Sequence, residues 1–414
     1  MFKNHSQGFY YIFSLGISFE WFVFMLGIPI SVTDITVLLL ISYSIIVHQK
    51  ILLNWIVVFV LLFGLHILIA NMINFHIEEE FSFKGFFSNY MRIIALMCII
   101  IFTPSLIKEF DIKKLMKGIL FALKFHSLIV IFDPFIIYPW TFSDYGIILG
   151  SESNESLPVE RGRGLWGEPS FFSAYVGMMM ALIIQYEKNT KERVATGIDY
   201  FILLLALLAS ASVTGASVAG ILLLMSFTTH KKAIFQSKSL LKNIGITLVS
   251  VPLMVVVLAS SFTFISDRLS AGLAGGSTLQ RLVGSSLFTM DIIREKPLIG
   301  SGLGGKNQQA FLDKHGDPII FDAIESSNPG GAQILTQSAT TFWAGLVGAG
   351  GLPALLIFYI AILGSLLINK KTTYVAVMIF FLGLAKGGVF DVSLWFVIAV
   401  AISYKYTDNK KSIT

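Results

Sequence analysis

The sequence predicts an all-α polytopic membrane protein with about twelve transmembrane helices, folded as one integral membrane domain over residues 1–414. Hydrophobic residues make up 55% of the chain and charged residues only 13%. A soluble domain of this size would carry about 25% charged residues. Apolar runs of about 18 residues or more recur along the chain, and each is long enough to cross a bilayer as a helix.

The candidate spans follow one another with short connections. They fall at about 8–29, 33–47, 51–73, 89–107, 115–137, 168–186, 196–211, 213–229, 243–263, 339–368, 372–385 and 390–404. Residues 196–229 form a nearly continuous apolar stretch, which we interpret as two short helices rather than one span. Twelve spans are favoured, and ten or eleven remain open.

Lysine distribution decides the number and the orientation of the spans. With twelve spans and both termini in the cytoplasm, the lysine-rich loops all lie on the cytoplasmic side, as the positive-inside rule expects. If 196–229 were one span, every later cluster would change sides. The clusters are Lys108, Lys113, Lys114 and Lys117; Lys188, Lys191 and Arg193; Lys231, Lys232, Lys238 and Lys242; Lys370 and Lys371; and Lys405, Lys410 and Lys411.

Composition also excludes several kinds of site. Cys98 is the only cysteine and lies in an apolar segment, so the chain has neither a disulfide framework nor a cysteine metal site. No Asp, Glu and His spacing matches a metal motif, and we expect no metal and no cofactor. The basic pI comes mostly from cytoplasmic lysines. No basic and aromatic soluble module is available for nucleic acid.

Two loops stand out on the opposite, periplasmic side, at about 138–167 and 264–338. The longer loop contains RLVGSSLFTMDIIREKPL from Arg281, in which apolar residues recur at helical spacing. This pattern predicts a helix along the outer surface, above a cavity between the spans.

Arginine is concentrated on that outer side. Arginine carries a permanently charged fork of donors that suits phosphate and carboxylate, whereas lysine is the usual marker of cytoplasmic loops. Of the seven arginines only Arg193 accompanies the lysine clusters; the others are Arg92, Arg161, Arg163, Arg268, Arg281 and Arg294. The outer face is therefore predicted to bind an anionic substrate.

The segment RGRGLWGEPSFFSAY, residues 161–175, contains the first group of candidate site residues. Arg161 and Arg163 are candidates for substrate contact, with Trp166 beside them. Glu168 precedes a proline at the start of a span, where a carboxylate also favours the helix dipole. Glu168 is thus either an ordinary N-terminal acid or a catalytic base.

The segment REKPLIGSGLGG, residues 294–305, is rich in glycine. Such loops can present backbone N–H groups to phosphate. It is not a Walker loop, because no Lys-Ser or Lys-Thr closes it and no strand precedes it. A turn after the surface helix is the simpler interpretation.

Two further segments carry polar groups. SASVTGASVAG, residues 210–220, would break a helix and either allow close helix packing or line a polar cavity. LDKHGDPIIFDAIE, residues 312–325, offers His315 as a candidate base, although outer acidic residues are usually solvated. Polar residues inside spans, namely Glu20, His66, Lys124 and His126, are costly there, and hydrogen bonding within the bundle is their simplest role.

These segments together resemble the O-antigen polymerase and ligase superfamily of bacterial polysaccharide assembly. Arg281 followed by REKPLIGSGLGG is similar to the family's arginine and proline–hydrophobic–glycine–x–glycine pattern in a large periplasmic loop. RGRGLWGEPSFFSAY resembles an element of the polymerases, and the small residues 210–217 lie where the family has a hinge. The ligases carry a histidine before the next span, and QSATTFWAGLVGAGGLP, residues 337–353, has none. A polymerase is therefore favoured over a ligase.

The resemblance implies a metal-independent glycosyltransferase with a membrane fold of the GT-C type in the bacterial inner membrane. Its substrates would be oligosaccharides on undecaprenyl pyrophosphate, and its candidate partners, besides the bilayer, a chain-length regulator and a flippase. Glu168, Arg163 and Arg281 are the implied catalytic residues. The implied substrate-binding residues are Arg161, Trp166, Arg268, Arg294 and His315. A flippase is the alternative from another class, but it would need a polar path through the membrane and two related halves.

Overall fold

Helices account for nearly all of the chain that the computed structural model describes, and the predicted helical fold class is confirmed in this respect. The described residues are 6–19, 22–25, 29–48, 55–107, 110–132, 147–149, 169–210, 212–235, 284–315, 341–385 and 392–405. The helices are α1 (Gln7–Ser18), α2 (Val32–Tyr43, continued by a π-turn at Ser44–His48), α3 (Trp55–Ile77), α4 (Phe83–Ile107), α5 (Ile112–Phe132), α6 (Pro169–Thr190), α7 (Gly197–Ala209), α8 (Val213–Phe235), α9 (Ser285–Glu295), α10 (Gly305–His315), α11 (Phe342–Leu356, continued by a π-helical stretch Ile357–Leu363), α12 (Gly364–Ile368), α13 (Thr373–Ala385) and α14 (Val392–Lys405).

A small antiparallel sheet departs from the purely helical prediction. Strand β1 (Phe22–Met25) pairs with β2 (Pro29–Ser31) and with β3 (Ile147–Leu149), which comes from the 138–167 loop. The predicted first span at 8–29 is therefore wrong in its second half, since α1 ends at Ser18. Aromatic and β-branched residues in FVFM favour a strand, and Pro29 stands at a strand start, where proline is tolerated.

Within the described residues, four helices are long and apolar enough to cross a membrane by length and composition. They are α3, α4, α5 and the stretch Phe342–Ile368. Shorter apolar helices accompany them at Val32–Ile46, Gly197–Ala209, Thr214–Thr229, Thr373–Gly383 and Val392–Ser403. Most predicted spans overlap a described helix, but 243–263 lies outside the described residues. The number twelve therefore stays a prediction.

The predicted break between residues 209 and 213 is confirmed, because α7 and α8 form a hairpin of two short helices. Helix α7 begins at a capping box between Thr196 and Asp199. Helix α8 returns to the same end of the bundle, where Thr228 Oγ1 lies 2.7 Å from the hydroxyl of Tyr374. Lys188 stands over that tyrosine ring. Residues 196–229 thus do not cross the bundle as one span, as the lysine distribution required.

Several lysine-rich segments meet at one end of the bundle. Lys113 Nζ lies 2.9 Å from a carboxylate oxygen of Glu192. Asn189 Nδ2 donates to the carbonyl of Lys371 at 2.9 Å. Gln7 near the amino terminus donates to the carbonyl of Lys114. The basic loops 111–117, 188–193 and 370–371 therefore share a face with α1.

The glycine-rich loop of residues 296–304 lies at the opposite end of the bundle from the basic segments. Helix α4 shows this, because it begins beside the loop and ends beside the basic segments. Asn307, just beyond this loop, accepts a hydrogen bond from the backbone N–H of Ser82 before α4 begins. At its other end, α4 leads to Phe110, which packs against Tyr10 next to the basic loops. A 25-residue helix is roughly 37 Å long, somewhat more than the ~30 Å hydrocarbon core.

Cysteine labelling checks this arrangement in a Cys98→Ala background. We expect Lys306→Cys, which follows the glycine-rich loop, to react with an impermeant maleimide on intact cells with a permeable outer envelope. Lys191→Cys, at the basic end, should react only after the inner membrane is opened. Equal access of both cysteines from the same side would show that the two ends do not face opposite compartments.

Candidate functional site

Two asparagines of α3 hold the glycine-rich loop against the bundle. Asn71 Nδ2 donates to the carbonyl of Ala349 at 2.9 Å, and its Oδ1 accepts the N–H of Leu303 at 2.6 Å. Asn74 Nδ2 donates to the carbonyls of Ile299 and Gly300 at 3.2 Å. The asparagines are three residues apart and therefore lie on one face of the helix. Both are fully buried, and a buried amide in an apolar segment is costly unless it is hydrogen-bonded. These contacts fix the position of the loop.

Helix α11 is broken at Gly350 and Gly351, beside the same loop. A break frees backbone carbonyls, which in an apolar medium need other donors. Gly302 N–H donates to the carbonyl of Gly348 at 3.1 Å, and His66 Nε2 lies 2.6 Å from that of Gly350. Together with the Asn71 bond to Ala349, every carbonyl from 348 to 350 has a partner. The glycine-rich loop and α3 thus supply the hydrogen-bond donors that the broken helix needs.

Glycine is required where these two segments touch. Gly300 has a φ of +68°, and a Cβ there would lie 2.5 Å from the carbonyl oxygens of residues 347 and 348. Gly351 has a φ of +69°, and its Cβ would overlap the carbonyl oxygen of Pro297. The N–H groups of Gly302 and Leu303 donate into the protein. The interpretation of this segment as a turn is confirmed, and these two N–H groups are not directed at a phosphate.

A polar cavity of about 540 Å³ opens between the end of α3, the loop and α10. It is lined by carboxylates, two lysines, an imidazole and two phenylalanine rings, which come from three separate parts of the sequence. The lining residues are Ile77, Glu78, Glu79, Glu80, Phe81, Lys296, Ser301, Asn307, Ala310, Phe311, Asp313, Lys314 and His315. This cavity is the candidate functional site.

Lys296 anchors one wall of the cavity. Its Nζ lies 2.7 Å from Glu78 Oε1 and 3.1 Å from Asn74 Oδ1. Lys314 Nζ approaches the other carboxylate oxygen of Glu78 at 3.4 Å. The hydrogen bond from Lys296 lowers the pKa of Glu78 below its ordinary value, since it favours the charged carboxylate. Glu78 thus remains an anion between two cations.

His315 lies on the cavity wall at the end of α10. Its Nδ1 is 3.8 Å from a carboxylate oxygen of Glu295, the last residue of α9. Its ring packs on Phe311, with 4.9 Å between the ring centroids. A carboxylate beside an imidazole can orient the ring. The histidine is therefore chemically able to take a proton from a hydroxyl bound in the cavity.

A helix within the segment predicted from Arg281 is present as α9 from Ser285, and it packs on α11. Its predicted place along the outer surface stays a prediction. Phe288 and Ile292 are buried against Phe311 and Val347. Arg294 is exposed near its end, beside the loop. Of the predicted site residues, Arg294 and His315 are described. The remaining ones, Arg161, Arg163, Trp166, Glu168, Arg268 and Arg281, lie outside the described residues.

Of the polar residues predicted inside spans, His66, Lys124 and His126 have partners, and Glu20 lies outside the described residues. His126 Nε2 lies 2.8 Å from Ser18 Oγ, and Lys124 pairs with Asp199 at 2.8 Å. Ser210 at the α7–α8 break lies 3.3 Å from Ser173 Oγ on α6. These contacts support the interpretation of the small residues as close helix packing.

Asn71, Asn74 and Glu78 were not among the predicted site residues. The signal was available for the asparagines, because two amides three residues apart inside an apolar run must find partners on one face. Glu78 is the first residue of the run EEE, and such a run has the composition of an ordinary solvated loop. Only the ion pair with Lys296 in the folded structure distinguishes it.

Comparison with protein families identifies the chain. The model of the WcaD colanic acid polymerase family matches residues 14–304, from α1 to the end of the glycine-rich loop. The chain belongs to this family. Neither the curated proteins nor the solved structures contain a match to it.

Membership in the WcaD family confirms the resemblance to polysaccharide polymerases that the arginine and glycine segments carried. A polymerase of this kind is an enzyme of the glycosyltransferase type. The matched region includes the whole loop that Asn71 and Asn74 hold, together with these two asparagines.

The fit of the glycines can be tested by Gly351→Ala. A residue with a Cβ costs about 1–3 kcal/mol in this backbone conformation (φ +69°, ψ −165°), which glycine alone adopts readily, and contact with the Pro297 carbonyl adds to this. We therefore expect a lower thermal midpoint for the purified protein in detergent. Gly220→Ala is the control, since nothing lies within 4 Å of its Cβ position and alanine favours a helix. A Gly351→Ala protein as stable as Gly220→Ala would contradict the fit.

The ion pair of Glu78 predicts a pH dependence. Because its pKa is lowered in the folded state, its contribution to stability is present above the ordinary value of 4.5 and is lost as the pH falls through the lower folded value. Glu78→Gln should therefore destabilise the protein by roughly 1–2 kcal/mol at pH 7 and lose this difference in acid. Unfolding curves at pH 7 and pH 3.5 measure it. The control is Glu192→Gln, which breaks the exposed Lys113–Glu192 ion pair at the basic end of the bundle and should change stability less. An equal effect of the two variants would argue against a special role of Glu78.

Proposed function

We propose that this protein polymerises oligosaccharide repeat units of a surface polysaccharide, of the colanic-acid or O-antigen kind, on undecaprenyl pyrophosphate. The observation that carries the proposal is the family match over residues 14–304. The apolar helices supply the membrane setting that a lipid-linked substrate needs. We place the reaction at the periplasmic face of the inner membrane, with both termini in the cytoplasm.

The two ends of the bundle support this orientation. The basic loops around Lys113, Lys188 and Lys370 meet at one end, together with Gln7 of α1. Positive loops favour the cytoplasm. The glycine-rich loop, Arg294 and the polar cavity lie at the opposite end of α4. The chemistry therefore belongs to the periplasmic side in this proposal.

In the reaction that we propose, an acceptor hydroxyl attacks C1 of the donor sugar. The new bond joins the hydroxyl oxygen to C1, and the bond from C1 to the pyrophosphate oxygen breaks. Undecaprenyl pyrophosphate leaves with the electron pair, and the hydroxyl proton passes to a base. Glu168 is the first candidate for that base and His315 the second, supported by Glu295 at 3.8 Å.

The leaving pyrophosphate gathers negative charge as the bond breaks, so fixed cations stabilise the transition state. We assign this role to Arg163 and Arg281, with Arg161, Arg268 and Arg294 as further contacts and Trp166 beside the sugar. Arginine can serve here without a metal ion, because its fork binds two phosphate oxygens at once. The proposal includes no metal and no cofactor.

A reconstituted assay tests the function. Purified protein in lipid vesicles, given lipid-linked repeat units from the same cells, should form a ladder of longer glycans in the presence of EDTA. No elongation under any divalent-cation condition would overturn the proposed function, and elongation that needs Mg²⁺ or Mn²⁺ would overturn its metal-free form.

Arginine variants test the site within that assay. Arg163→Ala and Arg281→Ala should each lower the rate by about 10²–10³, as the loss of a transition-state donor does, and Arg→Lys should recover only part of it. Arg193→Ala, at the basic end, is the matched control and should keep normal activity. Full polymer at normal rates from both alanine variants would show that these arginines do not hold the pyrophosphate.

A further inference from the structure

We propose that the cavity beside the glycine-rich loop binds the sugar of the acceptor repeat unit, and not the pyrophosphate of the donor. This assignment rests on the proposed polymerase function and gives the cavity a ligand class. It follows from three properties of the cavity: its charge, its mixture of groups and its attachment to the loop.

The charge of the lining argues against a phosphate. Four carboxylates face the cavity, from Glu78, Glu79, Glu80 and Asp313, against the two ammonium groups of Lys296 and Lys314. Even a protonated His315 leaves the lining negative. Both ammonium groups already lie against Glu78, at 2.7 and 3.4 Å. A pyrophosphate would therefore meet repulsion and find no cation free of a carboxylate partner.

The same lining suits a sugar. A sugar ring presents hydroxyl groups around its edge and an apolar face of C–H bonds. Carboxylates accept hydrogen bonds from hydroxyls, and each lysine ammonium group has three N–H donors, not all of which are used by Glu78 and Asn74. The phenylalanine rings at 81 and 311 supply apolar surface between these polar groups. Glu79 and Glu80 are exposed, and no hydrogen bond or ion pair of theirs occurs within the described ranges.

The volume is also appropriate. About 540 Å³ falls within the range of roughly 300–1,000 Å³ that small-molecule sites occupy. It leaves room for one or two sugar rings. His315 stands at the wall of this space, so a hydroxyl of a bound sugar can come within reach of an imidazole.

The cavity lies at the end of α3, against the anchored glycine-rich loop. One wall of the cavity is formed by the loop that Asn71 and Asn74 hold against α3. Lys296 lies in that loop and also lines the cavity. A sugar bound here is held by a rigid wall. This is what an acceptor needs, because its hydroxyl must be aimed at the donor carbon.

The assignment can be tested with an oligosaccharide that serves as the acceptor substrate but cannot serve as the glycosyl donor. Mild acid releases the repeat-unit oligosaccharide from its lipid pyrophosphate, and the product can accept a sugar chain but has no leaving group. We would titrate this oligosaccharide into the purified full-length protein by calorimetry. We would also measure the KM for it as acceptor in the vesicle assay.

Two variants change the cavity in different ways. Glu79→Gln with Glu80→Gln removes charged acceptors from exposed positions and should raise the acceptor KM and the dissociation constant about tenfold, with kcat little changed. Ala310→Trp places a large ring in the cavity and should abolish binding. Glu192→Gln, at the opposite end of the bundle, is the control and should leave both constants unchanged. Inorganic pyrophosphate should not displace the oligosaccharide.

The outcomes separate this inference from the polymerase function. Unchanged binding in both cavity variants, or displacement by pyrophosphate, overturns the sugar assignment even if the protein polymerises. Binding that Ala310→Trp abolishes supports the sugar assignment, even if the wild-type protein fails to elongate glycans and the polymerase proposal falls. A wild-type protein that does not bind the oligosaccharide at all also overturns the assignment.

Discussion

A helix that breaks among apolar neighbours leaves carbonyls that water cannot reach, and α11 breaks at Gly350 and Gly351. Each carbonyl that loses its helical partner there must be bonded by another part of the chain. The donors are His66 and Asn71 of α3 and the N–H of Gly302. The break is stable only when α3 and the glycine-rich loop are both in place, so three distant segments depend on one set of hydrogen bonds.

This requirement carries over to the cavity. Asn74, one turn beyond Asn71, donates hydrogen bonds to two loop carbonyls and accepts one from the ammonium group of Lys296. Lys296 also forms an ion pair with Glu78. The cavity wall is therefore an extension of the contacts that close the helix break. A change that loosens the loop would move the charged groups of the cavity as well. The hydrogen bonds that the apolar interior requires at the helix break therefore also hold the polar cavity at the end of α3 in place.

The sequence was sufficient for the parts of the structure that follow from local patterns. Apolar runs located most helices, lysine positions required the α7–α8 hairpin, and helical spacing located α9. The β1–β2 hairpin was missed because FVFM continues an apolar run that is compatible with a helix. The cavity could not be predicted, since Glu78 and Lys296 are 218 residues apart and are brought together by long-range contacts such as those of Asn71 and Asn74. The arginine and Glu168 assignments rest on sequence alone.

The distribution of charge suggests why such a protein would use two kinds of polar surface. In the reaction that we propose, the reacting group of the donor is a strongly anionic pyrophosphate and that of the acceptor is a neutral hydroxyl. A single pocket lined by arginines would hold the first well, but it would also attract the pyrophosphate of the second lipid-linked substrate. A cavity with excess carboxylate repels that group and accepts hydroxyls instead. Glu78 is central to this division, because its carboxylate already pairs with Lys296 and Lys314, the two lysines that a phosphate would meet at the cavity.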